Sequence, residues 1–124
     1  MNQSEESGKV HRVVFHLSIS DAPSQKALIG NITNLLEVWP QTEIEVVFHG
    51  PGIAMVVLGS AAHTEQLRVL VEENAIRLVV CENIMRGKQL TTADLLPFVE
   101  TVPVAIAELI QKQEQGWAYI KVGI

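Results

Sequence analysis

Val13-Val14-Phe15-His16 returns letter for letter as Val46-Val47-Phe48-His49, and Val79-Val80-Cys81 follows after the same interval of 33 residues. Each is a short run of β-branched and aromatic residues without polar alternation, the pattern of strands buried on both faces of a sheet. Such strands belong to parallel sheets, whose connections must be long enough to hold a helix. The stretch between the first two runs supplies one. Leu28, Ile32, Leu35, Leu36 and Trp39 recur at helical spacing, and Pro40 stops the segment. A strand over 10–17, this helix and a strand over 44–49 therefore read as a βαβ unit. Ankyrin repeats share the period, but their Thr-Pro-Leu-His signature is missing and their units are helical.

Working outward, Gly50-Pro51-Gly52 marks a turn, and 53–58 is a short apolar stretch whose type the pattern leaves open. A helix over 64–73 turns Leu67, Leu70 and Val71 inward, and 76–81 is the third strand. Gly87 breaks the chain, and Thr91-Thr92-Ala93-Asp94 reads as the capped start of a short helix ending before Pro97. Residues 99–102 fit a short strand. Pro103 suits the first turn of a last helix carrying Ile106, Leu109 and Ile110, with Gly116 just past its end. Residues 117–122 alternate like a final strand. The alternation predicts a three-layer α/β/α fold with a mostly parallel sheet of about five strands. It forms a single domain over 10–124, behind a flexible tail over 1–9.

Composition narrows the function. At 124 residues and 48% hydrophobic, the chain has material for one core and no need of disulfides or structural metal. Fourteen acidic against nine basic residues give a net charge of −5, which repels phosphate backbones and anionic lipid, so no nucleic-acid or membrane partner is expected. The single cysteine forms no internal disulfide, and Met1 to Gly8 lack an apolar signal core, which points to the reducing cytoplasm. The longest apolar runs fall far short of the roughly 20 residues that span a bilayer. Asn31-Ile32-Thr33 matches a glycosylation sequon, but without a secretory signal it is read as coincidence.

In parallel sheets, ligands bind beyond the carboxyl ends of the strands. That rule selects His16 with Ser18, His49 with Gly50-Pro51-Gly52, and Cys81 with Glu82 and Asn83, which converge on one crevice if their strands are adjacent. Cys81 is the expected reactive group. A free thiol with pKa near ~8.5 is little ionised at neutral pH, and backbone amides at the start of a short helix, together with Arg86 or a protonated His, favour the thiolate. The bland alternative is a buried cysteine acting as a small apolar side chain. His16 and His49 could orient or acidify the thiol, or join it around a metal. Their spacing is not a compact zinc motif, so no metal or other cofactor is assigned and hydrogen-bonded structural histidines remain the plainer reading. Gly50 and Gly52 lack the Lys-Ser/Thr ending of a phosphate loop and fit a tight turn better than an anion cradle. Asn31 and Asn34, one helical turn apart, either project toward the crevice or face solvent. No Gly-x-Ser-x-Gly elbow or paired-carboxylate motif is present.

Four segments taken together resemble the DsrE/DsrF-like family. They are Asn31-Ile32-Thr33-Asn34-Leu35-Leu36, Glu45-Val46-Val47-Phe48-His49-Gly50-Pro51-Gly52, Cys81-Glu82-Asn83 and Gly116-Trp117-Ala118-Tyr119-Ile120-Lys121. The likeness runs from about Val10 to Lys121. It implies a small α/β/α domain that assembles as a homo- or hetero-oligomer, often a trimer or hexamer. In the sulfur-relay members a cysteine carries persulfide sulfur between donor and acceptor proteins. Cys81 matches that cysteine, and Arg86-Gly87 is similar to the arginine-glycine ending of the same loop. The branch with the His-Gly-Pro-Gly and Trp-Ala-Tyr-Ile-Lys segments includes members without an assigned activity. The rival expectation is therefore a non-catalytic oligomeric module that binds a small ligand or metal.

Overall fold

The computed structural model describes residues 10–123, so the tail expected over 1–9 lies outside the described residues. Five strands, β1 (Arg12–Leu17), β2 (Glu43–Phe48), β3 (Arg77–Cys81), β4 (Glu100–Val102) and β5 (Ala118–Val122), form one sheet in the order β4-β3-β2-β1-β5. Every neighbouring pair is parallel, so the sheet expected to be mostly parallel is wholly so. The helices are α1 (Ala22–Val38), α2 (Thr64–Asn74), α3 (Glu82–Gly87) and α4 (Ala105–Glu114).

The strand order dictates the layers. From β1 to β4 the chain steps steadily toward one edge, then jumps back to the other edge for β5. With right-handed crossovers, α1 and α2 fall on one face and α4 on the other. Side chains follow that division. Leu28 and Ile32 of α1 and Leu67 and Leu70 of α2 pack with Phe15, Leu17, Val46, Phe48, Leu78 and Val80. The alternate residues Val14, Val47, Val79, Cys81 and Val102 face the other way and pack with Ala105 and Leu109 of α4. A lone helix does not cover five strands, and Tyr119 and Lys121 of β5 remain exposed.

Local chemistry sets the element ends. Asp21 caps α1, its Oδ2 accepting from the Ser24 N–H at 3.1 Å, which satisfies one of the donors a helix start leaves unpaired. Three readings change in detail. The open stretch over 53–58 continues a 3-10 helix, Gly50–Met55, after which Val57 bridges antiparallel to Leu95. The helix expected after Thr91 is a single 3-10 turn, Thr92–Asp94, held by the reciprocal Thr91–Asp94 capping box. Pro103 stands outside α4, and its carbonyl accepts from the Asn83 N–H at 3.3 Å, tying the start of α3 to the chain leading into α4. No helix among the described residues is long and apolar enough to cross a membrane.

Candidate functional site

Register gathers the chemistry-bearing residues. Phe48 and Val80 are the last pair of the β2–β3 ladder, and His49 and Cys81 are the next residue of each chain segment. His49 has extended backbone, φ −138° and ψ 147°, and its N–H donates to the Leu17 carbonyl at 3.0 Å, which carries the β1–β2 pairing one residue past β2. His16 lies between Val47 on β2 and Lys121 on β5. Because alternate residues of a strand share a face, His16, His49, Cys81, Tyr119 and Lys121 all lie on the side that α4 partly covers. The rings of His16 and His49 stack with centroids 5.7 Å apart, and His16 Nδ1 is hydrogen-bonded to the Tyr119 hydroxyl at 2.8 Å. Tyr119, His16 and His49 thus form a line from β5 to the end of β2, on the face that also carries Cys81.

His16 titrates below the ordinary histidine value, first because burial penalises its charged form and then because His49 and Lys121 add positive charge beside it. Its Nε2 is buried and has no hydrogen-bond partner. Cys81 is 1% exposed and enclosed by Val79, Val102, Ala105 and Leu109. Its Sγ accepts from the Ala105 N–H at 3.3 Å. This corrects the sequence reading in two respects. The amide at the sulfur comes from the first residue of α4, which packs over the face that carries Cys81, and α3 makes no side-chain cap bond with Cys81. The thiol is also closed over in the single chain, because α4 lies on β3 at that level.

Arg86 and Asn83 are exposed on α3 and bond to each other, Nη2 to Oδ1 at 3.4 Å. Arg86 lines a 220 Å³ pocket with Glu82, Thr92 and Thr101. No hydrogen bond joins Arg86 to Cys81 among the described residues. Gly50 has φ +55°, and a Cβ on Gly52 would lie 2.1 Å from the Leu17 carbonyl oxygen. Both glycines are accounted for by backbone: they let the 3-10 turn close on the end of β1, and so shape the rim beside the two histidines. Asn31 is exposed on α1, as is Asn34, in the layer on the opposite side of the sheet. Leu28 and Ile32 take the inward face of that helix, so Asn31 is not brought to the site. Among the described residues, no group of three His, Cys, Asp or Glu is placed to hold a metal ion.

Sequence reasoning missed two features of this face. Tyr119 was visible as one position of an alternating strand and within the Gly116–Lys121 segment of the family resemblance, with no role in the site attached to it. The other feature is a charge network at the amino end of the sheet, where Glu45 is 1% exposed on β2. Arg77 Nη1 lies 2.5 Å from Glu45 Oε2 and 3.3 Å from Glu108 Oε2, and Lys112 Nζ lies 3.9 Å from both carboxylates. Glu45 is nevertheless pushed up to about 7, by burial first and then by Glu108, with which the protonated form can share a hydrogen bond. Arg77 also serves Glu100, so the attraction that reaches Glu45 does not offset its burial. Glu45 Oε1 has no hydrogen-bond partner.

A five-stranded, all-parallel α/β chain with its only cysteine at the carboxyl end of the third strand defines the class of protein. The model of the DsrE/DsrF-like family matches residues 12–122, and the chain belongs to that family. It is similar to the solved structure of MTH1491 from Methanobacterium thermoautotrophicum, described as a protein of unknown function. The two share 30% identity and a TM-score of 0.85, over 90% of this chain and 98% of that one. The crystal structure of YchN from E. coli superposes with a TM-score of 0.74 over 91% of this chain and 99% of that one; at 13% identity this likeness concerns the fold alone. Comparison with curated proteins gave no match.

Proposed function

We propose that this protein is a sulfur carrier that holds transferable sulfur as a persulfide on Cys81. One observation carries the reading: the only cysteine stands at the carboxyl end of β3, on the face that holds His16 and His49, and its Sγ accepts a backbone N–H from Ala105. An amide donor stabilises electron-rich sulfur, and a neighbouring imidazole can take the thiol proton. The Cys81 sulfur then attacks the outer sulfur of a donor persulfide. The new S–S bond forms as the donor's breaks, and the donor leaves as a thiolate that takes up a proton. Transfer onward is the same exchange, with an acceptor thiolate attacking the outer sulfur of the Cys81 persulfide. With one cysteine per chain, every exchange partner comes from outside it. Access to a thiol 1% exposed requires the amino end of α4 to lift from β3, so the Ala105 N–H holds the sulfur at rest and after α4 recloses, and is released while a donor or acceptor is engaged.

In this reading the chain works in the cytoplasm as a homo-oligomer, a trimer or hexamer. Val104, Ile106 and Ile110, 43%, 50% and 52% exposed on and beside α4, supply apolar contact surface. The burial of Cys81 favours a second reading, a non-catalytic oligomeric module whose crevice binds a small ligand while the sulfur only packs. Persulfide-selective labelling after exposure to polysulfide separates the two. Label that disappears in Cys81→Ser supports the carrier, and folded protein that takes none supports the module.

A further inference from the structure

We propose that His16, His49, Tyr119 and Lys121 form a binding site for a small anion, which His16 Nε2 meets as a hydrogen-bond donor. The charge pattern of the chain supports such a site. Arg12, Arg68, Arg77 and Lys112 each pair with a glutamate. Among the described residues Lys121, like Lys26, Arg86 and Lys88, has no carboxylate partner, and Lys121 is the one of these beside two histidines that also have none, in a chain with 14 acidic residues against 9 basic. The groups facing His16 are Tyr119 and Lys121 from β5 and His49 from β2, and none is an anion at neutral pH.

An unpartnered ring nitrogen points the same way. His16 Nδ1 has the Tyr119 hydroxyl as partner, while Nε2 is buried with none. An anion admitted to Nε2, which the single chain closes to solvent, would satisfy the ring at both ends. His16 becomes an imidazolium, Nδ1–H donates to the Tyr119 oxygen, and Nε2–H donates to the anion. Without the anion, burial, His49 and Lys121 keep the ring neutral. Position agrees, since the patch lies toward the carboxyl ends of parallel strands, one strand from Cys81. As the place that holds the anionic sulfur of a donor, the site rests on the carrier reading; as an anion site it can be tested without Cys81.

The test follows the histidine ring signals by NMR across a pH titration of the folded protein in chloride. Sodium thiosulfate or sodium phosphate is then added at constant ionic strength. Thiosulfate is expected to raise the His16 titration midpoint saturably by about one unit, a tenfold gain in proton affinity. By reciprocity, thiosulfate then binds about tenfold more tightly when His16 is charged than when it is neutral. Lys121→Gln, on an exposed side chain, abolishes most of the shift; Tyr119→Phe weakens it; Cys81→Ser retains it. Phosphate acting equally identifies a general oxyanion site, and thiosulfate acting alone identifies a sulfur-anion site. Silence of His16 toward both overturns the proposal. Wild-type protein that loads sulfur on Cys81 while His16 stays silent loses the site and keeps the carrier; an anion response without any sulfur adduct does the reverse.

Discussion

Replacing Glu45 by glutamine is expected to flatten the fall in stability with rising pH. The carboxyl is held at about 7 in the folded chain against an ordinary 4.5. At about 1.4 kcal/mol per unit, that shift corresponds to roughly 3 kcal/mol. The sign follows from proton counting. Between the two values the unfolded chain has released the proton while the folded chain still holds it, so stability declines as pH rises through this window. His16 acts in the opposite direction, because its folded-state value is lowered and the unfolded chain holds that proton to higher pH. The difference between wild type and Glu45→Gln therefore isolates the carboxyl. Glutamine keeps an oxygen for Arg77 Nη1 and leaves Glu108 as the acceptor for both cations. Urea denaturation at intervals from about pH 5 to about pH 8 should show the variant gaining on wild type by about 3 kcal/mol. Parallel curves, or a variant that loses ground as pH rises, would mean that the ionised Glu45–Arg77 pair is the native form and refute the reasoning.

Gly52→Ala places a Cβ 2.1 Å from the Leu17 carbonyl oxygen, and is expected to cost about 3 kcal/mol in chemical denaturation; a near-neutral result would show that the 3-10 turn is free to move. Asp21→Ala removes the α1 cap and should cost about 1 kcal/mol by the same assay, with no change expected if the cap bond is absent in solution. Ile106→Asp with Ile110→Asp is expected to weaken self-association in sedimentation, and an unchanged distribution would place the interface elsewhere.

The fold was legible because its strands are buried on both sides: Val46-Val47-Phe48 and Val79-Val80 cannot serve as half-wet strands, and the helical stretch before Pro40 forces a crossover. The segment after Gly52 was not legible, since Ile53, Met55 and Val56 are inward without strand or helix periodicity. Pro103 was read into α4 on local preference, but its carbonyl is bonded to Asn83 on α3, and a pairing across the sheet leaves no mark in sequence. The same limit governs the site. That Cys81 and His49 lie at the carboxyl ends of strands was legible in the apolar runs; that those strands are neighbours, that α4 seals the thiol and that Tyr119 reaches His16 depends on the strand order, with β5 returning to the far edge.

The central claim concerns Cys81, and the intact mass of the folded protein after anaerobic exposure to polysulfide tests it most directly. The carrier account predicts added mass equal to whole sulfur atoms on wild type, none on Cys81→Ser, and its loss when an acceptor thiol is supplied. Unmodified wild-type mass, or an adduct that persists in Cys81→Ser, would contradict it.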